Sequence, residues 1–334
     1  MELYMNIVFI LGNGFDLNLG LNTSYNDFYE YYKQIESNNE AIIKLKNELF
    51  NNFENWSDLE FSLGKYTLNI NTLDEFDEVF EDILEHLSLY LKIEENKLNN
   101  ESNKVYRDKL LEHLAKPINF LTDIDIDILN RYFTHDIYHK ANLNILTFNY
   151  TKSLELLINY NDSPIIIPNN TILQKIYHVH GFIDEKMIMG VNDISQLSNK
   201  DFHNNQDILD AIIKEESNKA TGHTIDAQCE NLITSANVIC IFGSSLGQTD
   251  NKWWIAIGNR LKYDSNFKLI IFEKVEDIHA RIERKKDRIR RKKKNEFLDK
   301  TDLNNEEREK VKNNIFIGIN TKIFDEICIS EETL

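Results

Sequence analysis

The sequence is poor in cysteine and proline and has no long apolar run. Its 334 residues include three cysteines and three prolines. Cys229, Cys240 and Cys328 are isolated, which excludes a disulfide framework and a four-cysteine zinc site. No stretch approaches the roughly 18 apolar residues of a membrane span. The first apolar run has no basic region before it, unlike a signal peptide. These absences predict a cytoplasmic protein with no membrane partner.

Basic residues are also in the minority, and the net charge is -17. A surface this acidic repels nucleic acids and anionic membranes, so nucleic acid is not an expected partner. Two blocks depart from the average: residues 72–85 carry seven acids and no base, and residues 281–294 carry ten bases and two acids. Both are typical of solvated helix faces. For the basic block, which belongs to a predicted charged helical segment over 276–312, two alternatives remain: contact with nucleic acid, or pairing with an acidic helix.

Short β-branched runs predict the strands of an α/β fold. Several of these runs are apolar almost throughout, as in parallel strands covered on both faces. Helical periodicity lies between them, which favours a Rossmann-like layered fold. Residues 26–141 show helical spacing instead, and we interpret them as an insertion into one discontinuous domain, 1–25 and 142–334. The predicted strands cover residues 6–11, 143–148, 175–180, 186–191, 237–242, 267–272 and 314–319.

The first strand runs into a glycine turn, "FILGNGFDLNLGLNTSYNDF", residues 9–28. A strand, a glycine turn and a helix point backbone N–H groups and the helix N-terminus at one place, which favours a phosphate. Gly12 and Gly14 allow a tight turn and a close approach, and Gly20 allows contact with the next element. The spacing differs from the GxGxxG dinucleotide motif. The turn alone therefore supports either a phosphate site or a simple turn.

Two more strand ends carry polar residues. In "LTFNYTKSLE" (146–155), Asn149 follows a strand at the edge where open α/β sheets bind ligands, although Asn149 or Thr151 would also suit a helix cap. In "YHVHGFID" (177–184), strand alternation puts His178 and His180 on one face. A His-x-His pair suits a metal, but no acid and histidine cluster of recognised spacing accompanies it. We therefore expect no metal.

A fourth strand ends in "VICIFGSSLGQTDNKWW" (238–254), where Gly243, Ser244 and Ser245 leave room for a ligand. Thr249 and Asp250 are placed to cap the helix that follows. Because the ends of parallel strands meet at one edge of a sheet, the four stretches predict a shared site.

Taken in order, the motifs resemble a known family. The succession of Gly-x-Gly, Asn, His-Gly and Gly-Ser-Ser-Leu looks like the sirtuin-type NAD-binding fold. More closely, "GNGFDLNLGLNTSYNDF", "FNYTKSLE", "HVHG", "MGVND" and "FGSSLGQTD" resemble the AbiH family of bacterial phage abortive infection proteins. The resemblance covers both ends of the chain and leaves the helical insertion unmatched.

The resemblance implies that NAD is the substrate and that its nicotinamide–ribose bond is hydrolysed. His180 would then be the general base, and Asn149 would position the ribose or an attacking water. Residues 12–20 would hold the pyrophosphate, Ser244 and Ser245 the ribose or phosphate, and Glu273 the adenosine ribose. The implied binding residues are Gly12, Asn13, Gly14, Phe15, Asp16, Gly20, Thr23, Asp27, Thr151, Gly243, Ser244, Ser245, Asp250 and Glu273.

The chain also departs from the sirtuin pattern. It lacks the four-cysteine zinc module, which argues against protein deacylation. Where sirtuins have Asn-Ile-Asp, this chain has Asn149-Tyr150-Thr151, and Asp16, Asp193 or Asp250 is left as the replacement acid. Two other functions remain: a non-catalytic NAD or ADP-ribose sensor acting through a partner, and a nucleic-acid-acting defence protein. A homo-oligomer is compatible with the sequence, which does not identify a phage-derived trigger.

Overall fold

The computed structural model describes residues 3–98, 103–133, 138–220, 222, 224–275, 283–325 and 327. Cys328 and residues 276–282 of the predicted charged segment lie outside these ranges. No helix within them combines the length and the apolar character needed to cross a membrane.

The described residues form seven strands and fourteen α-helices, with short 3-10 turns between them. The strands are β1 (Leu3–Leu11), β2 (Tyr138–Thr147), β3 (Ile165–Ile167), β4 (Thr171–His178), β5 (Val238–Phe242), β6 (Lys268–Glu273) and β7 (Ile315–Ile319). The helices are α1 (Gly14–Asn18), α2 (Tyr25–Tyr32), α3 (Glu40–Asn51), α4 (Leu59–Tyr66), α5 (Leu73–Glu95), α6 (Asn103–Ala115), α7 (Asp123–Phe133), α8 (Ser153–Ile158), α9 (Gln206–Ile212), α10 (Lys214–Ala220), α11 (Ile225–Ser235), α12 (Asn251–Tyr263), α13 (Glu283–Asp299) and α14 (Asn305–Val311).

The strands form one sheet in the order β3-β4-β2-β1-β5-β6-β7. All neighbours are parallel except β3, which pairs with β4 in the antiparallel sense. Counted along the chain, the six parallel strands lie in the order 3-2-1-4-5-6, which reverses direction beside β1. The predicted α/β class is confirmed. In open sheets with this strand order, ligands generally bind where the order reverses.

The carboxyl ends of the central strands lie level with one another. Leu11 of β1 is in register with Thr147 of β2 and Phe242 of β5. Thr147 is in turn level with His178 of β4. The residues that follow these strands therefore meet at one edge of the sheet.

Helices cover both faces of this sheet. Ile7, Phe9 and Leu11 of β1 pack in one core with residues of α6 and α8. Val8 and Ile10 point to the opposite core, which is built with α11, α12 and α13. Burial on both faces explains why β1 is apolar almost throughout.

Helices α2–α5 form what we call the helical region, residues 25–98. It has its own core, which includes Phe28, Leu63 and Ile83 and extends to the loop after β4. Helix α6 instead packs on the sheet through Leu110 and Leu114. The helical region therefore sits beside the carboxyl edge of the sheet as a separate packing unit.

One predicted strand is wrong and one strand was missed. Residues 186–191 form no strand, and only Val191 makes an isolated bridge, to Ile213. Met187 and Met189 are buried in the core of the helical region, and a short buried run has no periodicity that separates a loop from a strand. The missed strand, β3, is three residues long, and its Ile166 is 84% exposed.

The basic block forms much of α13. Phe297 and Leu298 anchor this helix in the core, while Arg284, Lys285 and Arg288 are exposed. For these residues the prediction of a solvated helix face is confirmed.

Candidate functional site

A cavity of about 500 Å³ lies at the carboxyl edge of the sheet. Its walls come from the segments after β1, β2, β4 and β5, from the end of β6, and from the helical region. Ligand cavities typically measure about 300–1,000 Å³. Most of the predicted site residues line it, namely Gly12, Asn13, Gly14, Asp16, Thr23, Asn149, Thr151, His180, Gly243, Ser244, Ser245, Asp250 and Glu273.

The loops after β1 and β5 cross in backbone contact at three glycines. The Gly14 amide donates to the Gly243 carbonyl oxygen at 2.8 Å. A Cβ atom on Gly14 would lie 2.5 Å from Gly243 Cα, and one on Gly12 would lie 2.6 Å from the Gly243 carbonyl oxygen. Gly243 also has a φ of +70°. The glycines are therefore required for the packing of the two loops, a reason that the sequence did not reveal.

The glycine turn offers fewer free amides than the sequence predicts. The amides of Gly12, Gly14 and Phe15 all donate to backbone carbonyls. On the β5 side, nothing in the described part of the chain accepts a hydrogen bond from the amides of Ser244 or Ser245. The amides of Ser244 and Ser245 are therefore available as donors for an anion.

Asn13 and Thr23 hold the segment between β1 and α2 in shape. Asn13 Nδ2 donates to the Thr23 carbonyl oxygen at 2.9 Å, and Thr23 Oγ1 donates to Asn13 Oδ1 at 2.7 Å. Both residues line the cavity, so this paired contact fixes one of its walls.

Asp16 connects α1 to the loop after β2. It is 1% exposed and accepts hydrogen bonds from Asn149 Nδ2 at 3.0 Å, Thr151 Oγ1 at 2.5 Å and Ser153 Oγ at 2.5 Å. Neither Asn149 nor Thr151 caps α8, whose N-cap residue is Lys152. These contacts make Asp16 the residue that orients the Asn149 loop.

Burial raises the pKa of Asp16 from 3.8 to about 6. The hydrogen bonds that Asp16 accepts from Ser153, Thr151 and Asn149 act in the opposite direction but are outweighed. The folded state therefore holds this proton at a pH where the unfolded chain has released it. We expect the contribution of Asp16 to the free energy of unfolding to fall as the pH rises from about 4 to 6. Urea unfolding of the wild type and Asp16→Asn across this range measures it. The wild-type advantage should shrink with rising pH, whereas a constant difference would contradict the assignment.

Asn149 has one polar atom without a partner. Its Nδ2 is bound by Asp16, but Oδ1 is buried and makes no hydrogen bond within the described residues. A buried acceptor left unpaired costs about 1–3 kcal/mol, and a ligand that donates a hydrogen bond removes that cost. Asn149 lines the cavity, so this oxygen marks a place for a ligand hydroxyl or a water molecule.

His180 lies against Asp250 on the same cavity. Its Nε2 is 2.7 Å from Asp250 Oδ1. Nε2–H donates to this carboxylate, so the neutral imidazole has its lone pair on Nδ1, which makes no hydrogen bond with the described residues. Asp250 was predicted to cap a helix, but its side chain does not cap α12. The pair is arranged to accept a proton and to stabilise the imidazolium that forms.

His178 does not join His180 at this site. Strand β4 ends at His178, whose Nε2 contacts Glu155 Oε1 at 2.6 Å and whose Nδ1 donates to the Asn149 carbonyl oxygen at 3.1 Å. Among the described residues, no group of three or more His, Cys, Asp or Glu side chains is arranged to hold a metal ion.

Two functional candidates were missed by sequence reasoning. Lys214 Nζ lies 2.9 Å from Asp250 Oδ1, 2.8 Å from Glu60 Oε2 and 3.4 Å from His180 Nε2. Both residues are buried: as whole residues, Lys214 is 7% and Glu60 5% exposed. They lie 154 positions apart in the chain, and no local spacing connects them. Only burial of an ion pair in the folded protein identifies them.

Asp250 and Lys214 stabilise each other in their ionised forms. Burial alone would raise the pKa of Asp250, but Lys214 and His180 outweigh it and keep that pKa well below its usual value. Burial would likewise lower the pKa of Lys214, but Asp250 and Glu60 keep it above its ordinary value. Asp250 is therefore a carboxylate and Lys214 an ammonium across the physiological pH range.

Glu273 ends β6 at the far side of the cavity, as predicted. Its Oε2 forms an ion pair with Lys293 of α13 at 3.0 Å. Lys293 is 5% exposed, so the basic helix is connected to the cavity wall through this buried lysine. The pairing orients the Glu273 carboxylate at the end of the strand.

Three predicted binding residues lie outside the cavity lining. Phe15 is 1% exposed and packs edge-on against Phe324. Gly20 has a φ of +91° just after α1. Asp27 accepts from the backbone N–H of Ser24 in the capping box of α2. In this structure Phe15 serves core packing, Gly20 allows the chain to turn, and Asp27 caps a helix.

Comparisons with known proteins identify a family that covers most of the chain. Residues 8–273 match the family model described as "AbiH: Bacteriophage abortive infection AbiH". The match begins within β1, includes the helical region and ends with β6. A search of curated proteins found no match.

Proposed function

The chain belongs to the AbiH family of bacteriophage abortive infection proteins, and we propose that it acts by hydrolysing the nicotinamide–ribose bond of NAD. The observation that carries the proposal is the hydrogen-bonded pair of His180 and Asp250 on the cavity that also contains Asn149. A base of this kind activates water, and the doubly wound sheet offers a nucleotide-sized cavity at its carboxyl edge.

In the proposed reaction, water attacks C1′ of the nicotinamide ribose as the bond to nicotinamide breaks. The bonding electrons leave with the ring nitrogen, so nicotinamide departs neutral from a ribose with oxocarbenium character. His180 takes the proton of the water through Nδ1, and ADP-ribose is formed. Asn149 Oδ1 is suited to accept a hydrogen bond from a ribose hydroxyl or the water. Loss of NAD would stop the host cell before phage release.

The sheet offers complementary contacts for the rest of the substrate. The amides after β5 and the hydroxyls of Ser244 and Ser245 are donors suited to the pyrophosphate. Glu273 at the end of β6 is an acceptor suited to the adenosine ribose hydroxyls. Asp16, fully engaged within the fold, contributes by orienting Asn149.

The test is release of nicotinamide and ADP-ribose from NAD by the purified protein, measured by chromatography. We expect release by the wild type and a loss of about tenfold or more in Asn149→Ala, because about 1.4 kcal/mol of a hydrogen bond equals a factor of ten. His203→Gln is the control, since His203 contacts the Leu197 carbonyl oxygen outside the cavity. NAD content is also followed in expressing cells during phage infection.

Calorimetric binding of NAD to the same samples separates the alternatives. If the protein binds NAD but releases no nicotinamide in vitro, and cellular NAD does not fall, the protein is a sensor and not a hydrolase. Absence of both binding and release would overturn NAD as the ligand. Family membership is unaffected by either result.

A further inference from the structure

Four ionisable side chains form one largely buried cluster at the wall of the cavity. Asp250 Oδ1 is shared by His180 Nε2 and Lys214 Nζ, and the other side of the ammonium contacts Glu60. The side chains of His180, Lys214 and Glu60 are 6%, 9% and 7% exposed, and that of Asp250 is 15% exposed. Their charges are therefore little screened by solvent.

Each member comes from a different part of the chain. Lys214 begins α10, Asp250 precedes α12, and Glu60 lies in the first turn of α4 in the helical region. The hydroxyl of Tyr150 donates to Glu60 Oε1 at 2.7 Å, which fixes the carboxylate against the lysine. The helical region thus places a negative charge one ion pair away from the proposed base.

Other groups face His180 from the elements around it. The ring of Phe148, after β2, lies 5.3 Å from the imidazole, centre to centre. Tyr150 and Tyr25 remain neutral, because burial and the nearby Glu60 carboxylate raise their pKa values well above 10. Asp58, just before α4, is a further acid close to the cluster, and its pKa is raised by burial and by Glu60.

We propose that Lys214 and Glu60 are positioning residues that set the protonation state of His180, with Glu60 supplied by the helical region. The charge count gives the direction of each effect. With a neutral imidazole, the cluster has two carboxylates and one ammonium, and a proton on His180 balances it. Lys214 opposes that proton at 3.4 Å, and Glu60 favours it through the lysine. The effect of Lys214 and Glu60 on catalysis rests on the proposed function, whereas their charge coupling to His180 does not.

Replacing either residue should shift His180 titration in opposite directions. Lys214→Met removes the nearest positive charge, so protonation should reach its midpoint at a higher pH. Glu60→Gln removes a negative charge and leaves Lys214 uncompensated, so the midpoint should move to a lower pH. A charge within about 4–6 Å shifts the midpoint of a titrating group by about one pH unit or more, and Lys214 lies within that range of His180. Lys214→Met/Glu60→Gln should titrate between the two single variants.

Histidine ring NMR of the full chain, with His180 assigned from the His180→Gln spectrum, measures these midpoints without any substrate. The acid limb of the pH profile for nicotinamide release should move in parallel, because only the neutral imidazole accepts a proton. Lys219→Met is the matched control: Lys219 lies on the same helix as Lys214, pairs with Glu215 and Glu216, and has a 60% exposed side chain.

Glu60→Gln keeps the size of the side chain and an acceptor for Tyr150, so this variant is expected to fold and is sufficient on its own. Shifts in the same direction, or an unchanged midpoint in Glu60→Gln, would overturn the proposal. Opposite shifts in a protein that does not cleave NAD would support the charge coupling and reject the hydrolase. Cleavage of NAD with unshifted His180 midpoints would support the hydrolase and reject the charge coupling.

Discussion

Replacement of His180 by alanine is expected to lower the rate of nicotinamide release from NAD by about 10²- to 10⁴-fold, the usual contribution of a general base. The reason is the position of the imidazole: Nε2 is held by Asp250, and Nδ1 remains for the water. Alanine removes both the base and the contact with Asp250. The measurement is the initial rate of release at saturating NAD, together with the NAD dissociation constant.

A second substitution separates the base from its contact. His180→Gln retains an N–H that can donate to Asp250 but has no group that takes a proton near neutral pH. Its rate should fall as far as that of alanine, while NAD binding and the free energy of unfolding stay closer to the wild type. His203→Gln should keep the wild-type rate. If both His180 variants cleave NAD at the wild-type rate, His180 is not the base.

Most strands of this fold could be predicted from the sequence because both faces of the sheet are covered by helices. Val238–Phe242 is buried at every position, and such apolar β-branched runs mark the central strands. The same property misled the prediction at 186–191, where Met187 and Met189 fill the core of the helical region without strand pairing. An apolar run in a sequence indicates that a segment is buried, but it does not indicate which element packs against that segment.

Only part of the candidate site could be predicted from the sequence, because a sequence does not show which distant segments pack together. Asn149, His180 and Ser244 follow strands, and parallel strands bring their ends together whatever the loops do. Lys214 contacts His180 and Glu60 contacts Lys214 because the chain brings together the helical region and the segment that follows β4. Asp250 was recognised as a candidate, but its proposed helix cap was wrong because the buried His180 and Lys214 take its carboxylate. Long-range ion pairs of this kind have no sequence spacing.

Substitution of Gly14 by alanine is expected to lower the free energy of unfolding by about 3 kcal/mol, the upper part of the usual range for overpacking. The new Cβ would lie 2.5 Å from Gly243 Cα, so the loops after β1 and β5 must separate. Their hydrogen bond from the Gly14 amide to the Gly243 carbonyl would weaken with them. Gly14 is the first residue of α1, where alanine is the better helix former, so a loss of stability has to come from the clash.

Gly222→Ala is the control that separates this clash from backbone strain. Gly222 has a φ of +68°, and a Cβ there would contact nothing within 4 Å, so only the left-handed conformation is penalised, by about 1 kcal/mol. Urea unfolding midpoints compare the two variants at constant slope. Equal losses would contradict the loop-crossing role of Gly14. A larger loss in Gly14→Ala, with weaker NAD binding, would mean that the glycine motif serves the nucleotide indirectly, by letting two loops meet at the edge where Asn149 and His180 also lie.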